Sequence, residues 1–442
     1  MKNSLRRAAI VVGFSCALLT PCAFAIVGQP GTLDTTWNGT GKVMTAIGTS
    51  DDIAASMTLQ PDGRVLLAGN CWNATSFDFC AARYLANGSL DTTWNGTGKV
   101  ITPIGTSDDV ATSMTLQPDG KVLLAGRCGN AGNYDFCAAR YLANGTLDTA
   151  WNGTGKVMTA IGSGDDLANS MTLQPDGKVL LAGYCGNFAN YDFCAARYLA
   201  NGTLDTTWNG TGKVITAIGS DNDFAAAMTL QPDGKVLLAG YCSNGTNFDF
   251  CAARYLANGS LDTTWNGTGR VMTAIGSDND FAVTMTLQPD AKVLLAGNCS
   301  NGTNGDFCAA RYLANGTLDT TWNGTGTVIT AIGILGDSAT SITLQPDGKV
   351  LLAGRCFNGS TFDFCAARYD GGPFGYRNCT PDIDGDGSFL ATTDALINMR
   401  IALGITGPAV IGGITFAPNA TRNTWPLIRD YLVTQCGMSL VQ

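Results

Sequence analysis

The sequence contains no histidine, and every one of its 35 acidic residues is aspartate, so glutamate is absent as well. Those two residue types supply the commonest general bases, and histidine the commonest transition-metal ligand. Their absence removes the side chains on which most acid–base and zinc chemistry relies. A chain rich in Gly, Asn, Asp and Thr but without Glu also favours turns and strands over helices. Charge is sparse, at 14% of residues, with a net value of −9. Loss of Lys2, Arg6 and Arg7 with a leader takes that net charge to −12. Nucleic-acid binding needs a basic footprint, so no nucleic-acid partner is expected. Beyond the first 25 residues no apolar run is long enough to span a bilayer, and no membrane span is expected.

What is present begins with an export signal. Lys2, Arg6 and Arg7 form a basic start, an apolar run follows from Ala8, and Ala23-Phe24-Ala25 reads as a cleavage site. Residues 1–25 are therefore expected to be a signal peptide, sending the protein to the periplasm, the cell surface or the medium. Of the 16 cysteines, Cys16 and Cys22 leave with this leader. Six pairs recur at one spacing: Cys71/Cys80, Cys128/Cys137, Cys185/Cys194, Cys242/Cys251, Cys299/Cys308 and Cys356/Cys365. Cys379 and Cys436 remain for each other. Zinc would find two thiols and no imidazole in each unit, so disulfides in an oxidising compartment are the expected use.

The cysteine pairs belong to a repeat. Trp37, Trp94, Trp151, Trp208, Trp265 and Trp322 stand 57 residues apart. One unit reads as four strands, in the first copy Ala54–Leu59, Arg64–Gly69, Asp78–Ala86 and Lys99–Pro103. Pro61-Asp62-Gly63 supplies a tight turn in which Gly63 provides positive φ, and Ala291 at the matching place in the fifth unit carries a local penalty. Six such units predict an all-β fold, a six-bladed β-propeller over residues 26–370. The array starts and stops inside a unit, so Lys42–Ala46 is expected to complete the sixth blade and close a ring, with strands of the Ala54–Leu59 type innermost. An open solenoid would instead need polar caps, and none is visible. The Trp series is expected to pack between blades, and Arg83 and its copies to form structural ion pairs.

The run DFCAARY…NGSLDTTWNGTGKV…QPDGKVLLAG, six times over residues 28–369, resembles the bacterial delta-60 repeat. That resemblance implies a secreted protein of propeller type and no particular activity.

Differences between copies mark a candidate ligand face. The loops inside each cysteine pair vary, and so does the residue before each pair: Asn70, Arg127, Tyr184, Tyr241, Asn298 and Arg355. Trp72, Tyr184, Phe188, Tyr241 and Phe357 offer rings that stack on sugars or anchor a protein. The same rim carries Asp52, Asp109, Asp166, Asp223, Asp280 and Asp337. This series either attracts a cation or basic peptide to the channel mouth or caps its own turns through backbone hydrogen bonds.

After Tyr369 the pattern breaks. Residues 371–378 read as a linker and 379–442 as a small, mostly helical domain. Asp382, Asp384 and Asp386, with the Ser388 carbonyl, match positions 1, 3, 5 and 7 of an EF-hand loop, and Asp394 stands thirteenth where an acid is expected twelfth. The loop resembles a single EF-hand or a dockerin, which implies calcium, although the second loop of a dockerin is missing. Helical pattern runs through Leu396, Met399, Ile401 and Leu403, and again over Trp425–Val433.

No copy carries a unique acid–base pair, so an enzyme is not expected. The sequence predicts a monomeric, exported, non-catalytic binding protein for an extracellular glycan or surface protein, stabilised by calcium. The alternatives are a lectin-like glycan binder and an Asp-dependent hydrolase acting on glycosides.

Overall fold

The computed structural model describes residues 32–371 other than 131, 188 and 346, and residues 382–434 other than 389, 391, 403, 404 and 406. The expected signal peptide, most of the linker, Phe188 and the Cys379/Cys436 pair lie outside the described residues.

The protein is mostly β, arranged as six antiparallel sheets, one per repeat. In the first blade the strands are β1 (Asp52–Leu59), β2 (Val65–Trp72), β3 (Phe77–Tyr84) and β4 (Lys99–Thr102), paired in sequence order. The turn after β1 forms as expected, with Gly63 at φ 83°. Its counterpart Ala291 is held at φ 63°, a left-handed conformation that costs an L-residue roughly 1–2 kcal/mol. Each first strand carries a register shift near its middle, between Ala54 and Ser56 in the first blade. Gly69 lies opposite, and a Cβ there would meet the Ile53 carbonyl oxygen at 1.9 Å. The glycine of LLAG is thus the residue that lets a bulged strand approach.

All six repeat disulfides form, each joining neighbouring strands of a hairpin, with Cys71 and Cys80 5.8 Å apart at Cα. Six such bonds indicate an oxidising environment. Among the described residues no helix is long and apolar enough to cross a membrane.

The core lies between blades. At the third joint Leu180, Ala182, Phe193 and Trp208 of one blade pack on Ala225, Val236, Leu238 and Tyr255 of the next. The Arg197 guanidinium lies 5.5 Å from the Trp208 ring, pairs with Asp205 at 2.9 Å and donates to the Ala257 carbonyl across the joint at 2.8 Å. Both the packing of the Trp series and the ion pairs of the Arg83 series are therefore as expected. First strands of successive blades lie side by side, with Thr112 donating to the Ala168 carbonyl and Asn169 to that of Ala225. That places them innermost.

Ring closure, however, is not what the structure shows. The sixth sheet holds three strands, and residues 42–46 pair with no strand among the described residues. They lie on the first blade instead, where Tyr84 Oη donates to Thr45 Oγ1 at 2.8 Å and Lys99 Nζ to the Ala46 carbonyl at 2.8 Å. The Tyr–Thr bond recurs between each fourth strand and the following blade, as from Tyr141 to Thr102 at 2.7 Å, and Lys156, Lys213 and Arg270 repeat the Lys99 contact.

The C-terminal unit packs Ile383, Ile397, Val410, Ile428 and Leu432 between α1 (Asp394–Ala402) and α2 (Trp425–Thr434). Both helices begin and end close to the predicted stretches.

Candidate functional site

The varied rim is built from two kinds of loop. The loop inside a cysteine pair meets the turn that enters the next blade's first strand: the Phe77 amide donates to Asp108 Oδ1 at 2.9 Å, and Tyr134 repeats this with Asp165. The Thr49 amide also donates to the Trp72 carbonyl at 2.7 Å. Both loop types therefore share one end of the sheets, as the strand alternation requires.

The aspartate series does not edge that rim. Asp109, Asp166, Asp223 and Asp280 are fully buried and Asp337 nearly so. Asp109 accepts the Ile104 amide at 2.6 Å and the Gly105 amide at 3.1 Å, and Asp166 accepts those of Ile161 and Gly162. Asp52 does the same with Ile47 and Gly48, half-buried. Carboxylates four or five residues past a turn are well placed to satisfy its orphan donors, and this use excludes them from a solvent-facing cation ring. Burial pushes Asp109, Asp166 and Asp223 up to about 6, against the pull of those amides.

Aromatic rings do line the rim, but as one continuous strip. Tyr184 lies edge-on to Tyr191 (5.3 Å) and to Phe224 of the next blade (4.8 Å). Phe224 is 5.2 Å from Tyr241, which lies edge-on to Phe248 (5.4 Å) and to Phe281 of the fifth blade (4.9 Å). Six half-buried rings thus run across three blades. At the second blade the Arg127 guanidinium sits 5.5 Å from the Tyr134 ring. Tyr184 and Tyr241 are the two members expected from sequence. Trp72 and Phe357 form separate edge-on pairs with Phe77 and Phe362 on the first and sixth blades.

Four rings of the strip escaped the sequence reading. Phe224 and Phe281 sit at the start of first strands, where the copies read Ile53, Val110, Leu167, Phe224, Phe281 and Ser338. Column-by-column comparison of those strands carries the signal.

In the C-terminal unit, carboxylate oxygens of Asp382, Asp384 and Asp394 lie within 4.8 Å of one another. Asp384 is fully buried and its Oδ2 has no hydrogen-bond partner. Burial first, and then the neighbouring Asp394 charge, push Asp384 up to about 6. Asp386 is not among those three carboxylates, and its Oδ1 accepts the Ser388 amide at 2.8 Å. Gly385 and Gly387 take positive φ, letting the loop amides point at Asp382. Arg422, 40 residues on, donates to the carbonyls of Asp382 and Ile383 at 2.8 and 2.7 Å and pins the loop from outside.

Fold and site together define a disulfide-stapled β-propeller-repeat protein with an acidic-loop appendage. Five segments, residues 60–93, 117–150, 174–207, 231–264 and 288–321, match the family described as domain of unknown function (DUF5122) beta-propeller. No curated protein matches the chain. Among solved structures, Sqt1 from Chaetomium thermophilum is similar at 14% identity over 74% of this chain and 70% of that one, with a TM-score of 0.40. A protein from Lactobacillus plantarum is similar at 13% identity over 73% and 86%, with a TM-score of 0.42. A PL25 ulvan lyase is similar at 11% identity over 71% and 82%, with a TM-score of 0.37. At such scores none of them bears on function.

Proposed function

We propose that the protein is an exported, non-catalytic binding protein whose contact surface is the aromatic strip from Tyr184 to Phe281. The observation that carries this reading is asymmetry. The turns and joints repeat in every unit, whereas among the described residues the ring-to-ring strip runs over three blades. Half-buried rings locked edge-on present rigid apolar area at little entropic cost, which suits the face of a sugar or an apolar side chain of a surface protein. The Asp series, taken up by turn amides, supports this reading over an Asp-dependent hydrolase. Screening on immobilised glycans and surface proteins, Phe224→Ala is expected to weaken binding about tenfold or more, the loss of roughly 1.4 kcal/mol, with melting little changed. Trp72→Ala, off the strip, is expected to leave binding intact. Equal loss in both variants would sink the assignment.

We further propose that Asp382, Asp384 and Asp394 hold calcium in an EF-hand-like loop. The buried, unpartnered Asp384 oxygen supports a cation, because such an atom is costly unless paired or coordinated. All-oxygen donors suit a hard divalent ion. Calorimetry should show calcium binding that Asp384→Ala abolishes, and a chelator should lower the melting of residues 382–434 while leaving the array unchanged. Identical melting with and without chelator would refute it.

A further inference from the structure

The aromatic strip carries opposite charges at its two ends. At the near end stands Arg127, in the column that reads Asn70, Arg127, Tyr184, Tyr241, Asn298 and Arg355. Its guanidinium lies 5.5 Å from the Tyr134 ring. It also reaches the first ring of the strip: burial raises the Tyr184 hydroxyl, and the Arg127 charge pulls against that rise.

Arg127 is unlike the arginines of the joints. Arg83, Arg140, Arg197, Arg254 and Arg311 each pair with an aspartate. Arg127 is half-buried, its Nε is buried without a hydrogen-bond partner, and it forms no ion pair among the described residues. A guanidinium keeps its charge at any ordinary pH, and holding one partly out of water without a partner is costly. Asp165, the acid of the adjoining turn, is taken up by the Tyr134 amide at 2.9 Å.

Toward the far end the sign changes. The turn residues that receive the loop amides are Asp108 and Asp165 on the second and third blades, but Asn222 and Asn279 on the fourth and fifth. The acids there stand one residue earlier, as Asp221 and Asp278, and both are exposed. Between the ends, Tyr184 and Tyr241 carry hydroxyls without a partner among the described residues.

We infer, building on the strip as the contact surface proposed above, that its ligand is an acidic polysaccharide laid along it in one direction. A sugar bearing a carboxylate or a sulfate pairs with Arg127, and neutral sugars lie on the rings of the third to fifth blades. The guanidinium fork offers parallel N–H groups to two oxygens of either anion. Asp221 and Asp278 repel an acidic sugar but accept the hydroxyls of a neutral one, so charge sets the direction. Flat rings interleaved with hydroxyls and carboxylates suit the C–H face and hydroxyl edge of a sugar better than an apolar side chain.

The test titrates the full mature chain, its native disulfides intact, by calorimetry. One probe is a hyaluronan oligosaccharide, whose uronates alternate with neutral sugars, set against its neutral methyl ester. Another is a galactan oligosaccharide sulfated on alternate sugars, set against its desulfated form. A polyaspartate peptide is the third. At least one anionic glycan is expected to bind about tenfold or more tighter than its neutral form, with the preference weakening as salt is added. Which of the two does so tells carboxylate from sulfate. Arg127→Gln should erase the preference while melting and the affinity for the neutral form stay unchanged. Phe224→Ala should weaken charged and neutral forms alike. Arg355→Gln removes a guanidinium that lies over Phe362, off the strip, and should change nothing. Equal binding of charged and neutral forms, or a preference that survives Arg127→Gln, would overturn the inference and leave the strip standing as the contact surface. A preference lost in Arg127→Gln but indifferent to Phe224→Ala would instead sink the strip itself. Failure of every glycan to bind overturns the inference as well, and polyaspartate binding in that case would point to an acidic protein.

Discussion

Replacing Trp208 with alanine is expected to lower the stability of the third joint by about 3–5 kcal/mol, the range for truncating a buried aromatic where a cavity remains. The indole is fully buried, and Gly259 approaches it so closely that a Cβ would stand 2.7 Å from the ring. The Arg197 guanidinium over its face would lose that surface while staying tied to Asp205 and Ala257. In a linear repeat array stability is a sum of units and nearest-neighbour joints. Cutting one joint should therefore split a single unfolding transition into two, read as two steps in urea followed by fluorescence and circular dichroism. Trp208→Phe should cost less, because Trp208 Nε1 is buried without a partner and the smaller ring removes that orphan donor. Trp37, its half-buried counterpart at the free end, supplies the control. Trp37→Ala should cost well under half as much and leave one transition. Equal costs at both positions would show that the indoles do not hold the joints.

This architecture was largely legible in the sequence because its causes are local. Two-residue alternation, a Pro-Asp-Gly turn and cysteines nine apart fix hairpins whatever the rest of the chain does. Asn95 at φ 51° and Gly63 at φ 83° needed only their own residue type and place in a turn. The missing parts depend on distances between segments. Whether Asp109 faces solvent or its own turn depends on how tightly residues 104–109 fold back, and composition is silent on that. The strip required Phe224 to meet a ring 40 residues earlier, Tyr184, across a joint. Counting units gave the stoichiometry of a ring, but closure depends on the angle at each joint. In the acidic loop, spacing singled out Asp382, Asp384, Asp386 and Asp394. The fold gathers the carboxylates of Asp382, Asp384 and Asp394, while Asp386 Oδ1 accepts the Ser388 amide, an arrangement that depends on how the loop turns.

The array should be more stable at pH 5 than at pH 7, contrary to the behaviour of proteins held by exposed ion pairs. Burial raises Asp109, Asp166 and Asp223 from an ordinary 3.8 to about 6, and raises Asp78, Asp192, Asp280 and Asp306 in the same direction. Between about 3.8 and 6 the folded state then binds more protons than the unfolded chain. Stability therefore falls as pH rises through that window and stays lower above it. For the three strongly raised groups the effect is on the order of 1–3 kcal/mol each. A second family sets the acid limit. Burial alone would raise Asp91, yet the Thr93 hydroxyl and the Arg83 guanidinium hold it below the usual range, and Asp205 and Asp262 behave alike. Their contribution is present above 3.8 and is lost as pH falls through their depressed values. The two families together place the maximum near pH 4–5. Urea midpoints of the array measured from pH 3 to 8 should trace that maximum, and Asp166→Asn should flatten its neutral side. A midpoint that is level, or that climbs, between pH 5 and 7 would show that the turn amides compensate the buried charge fully.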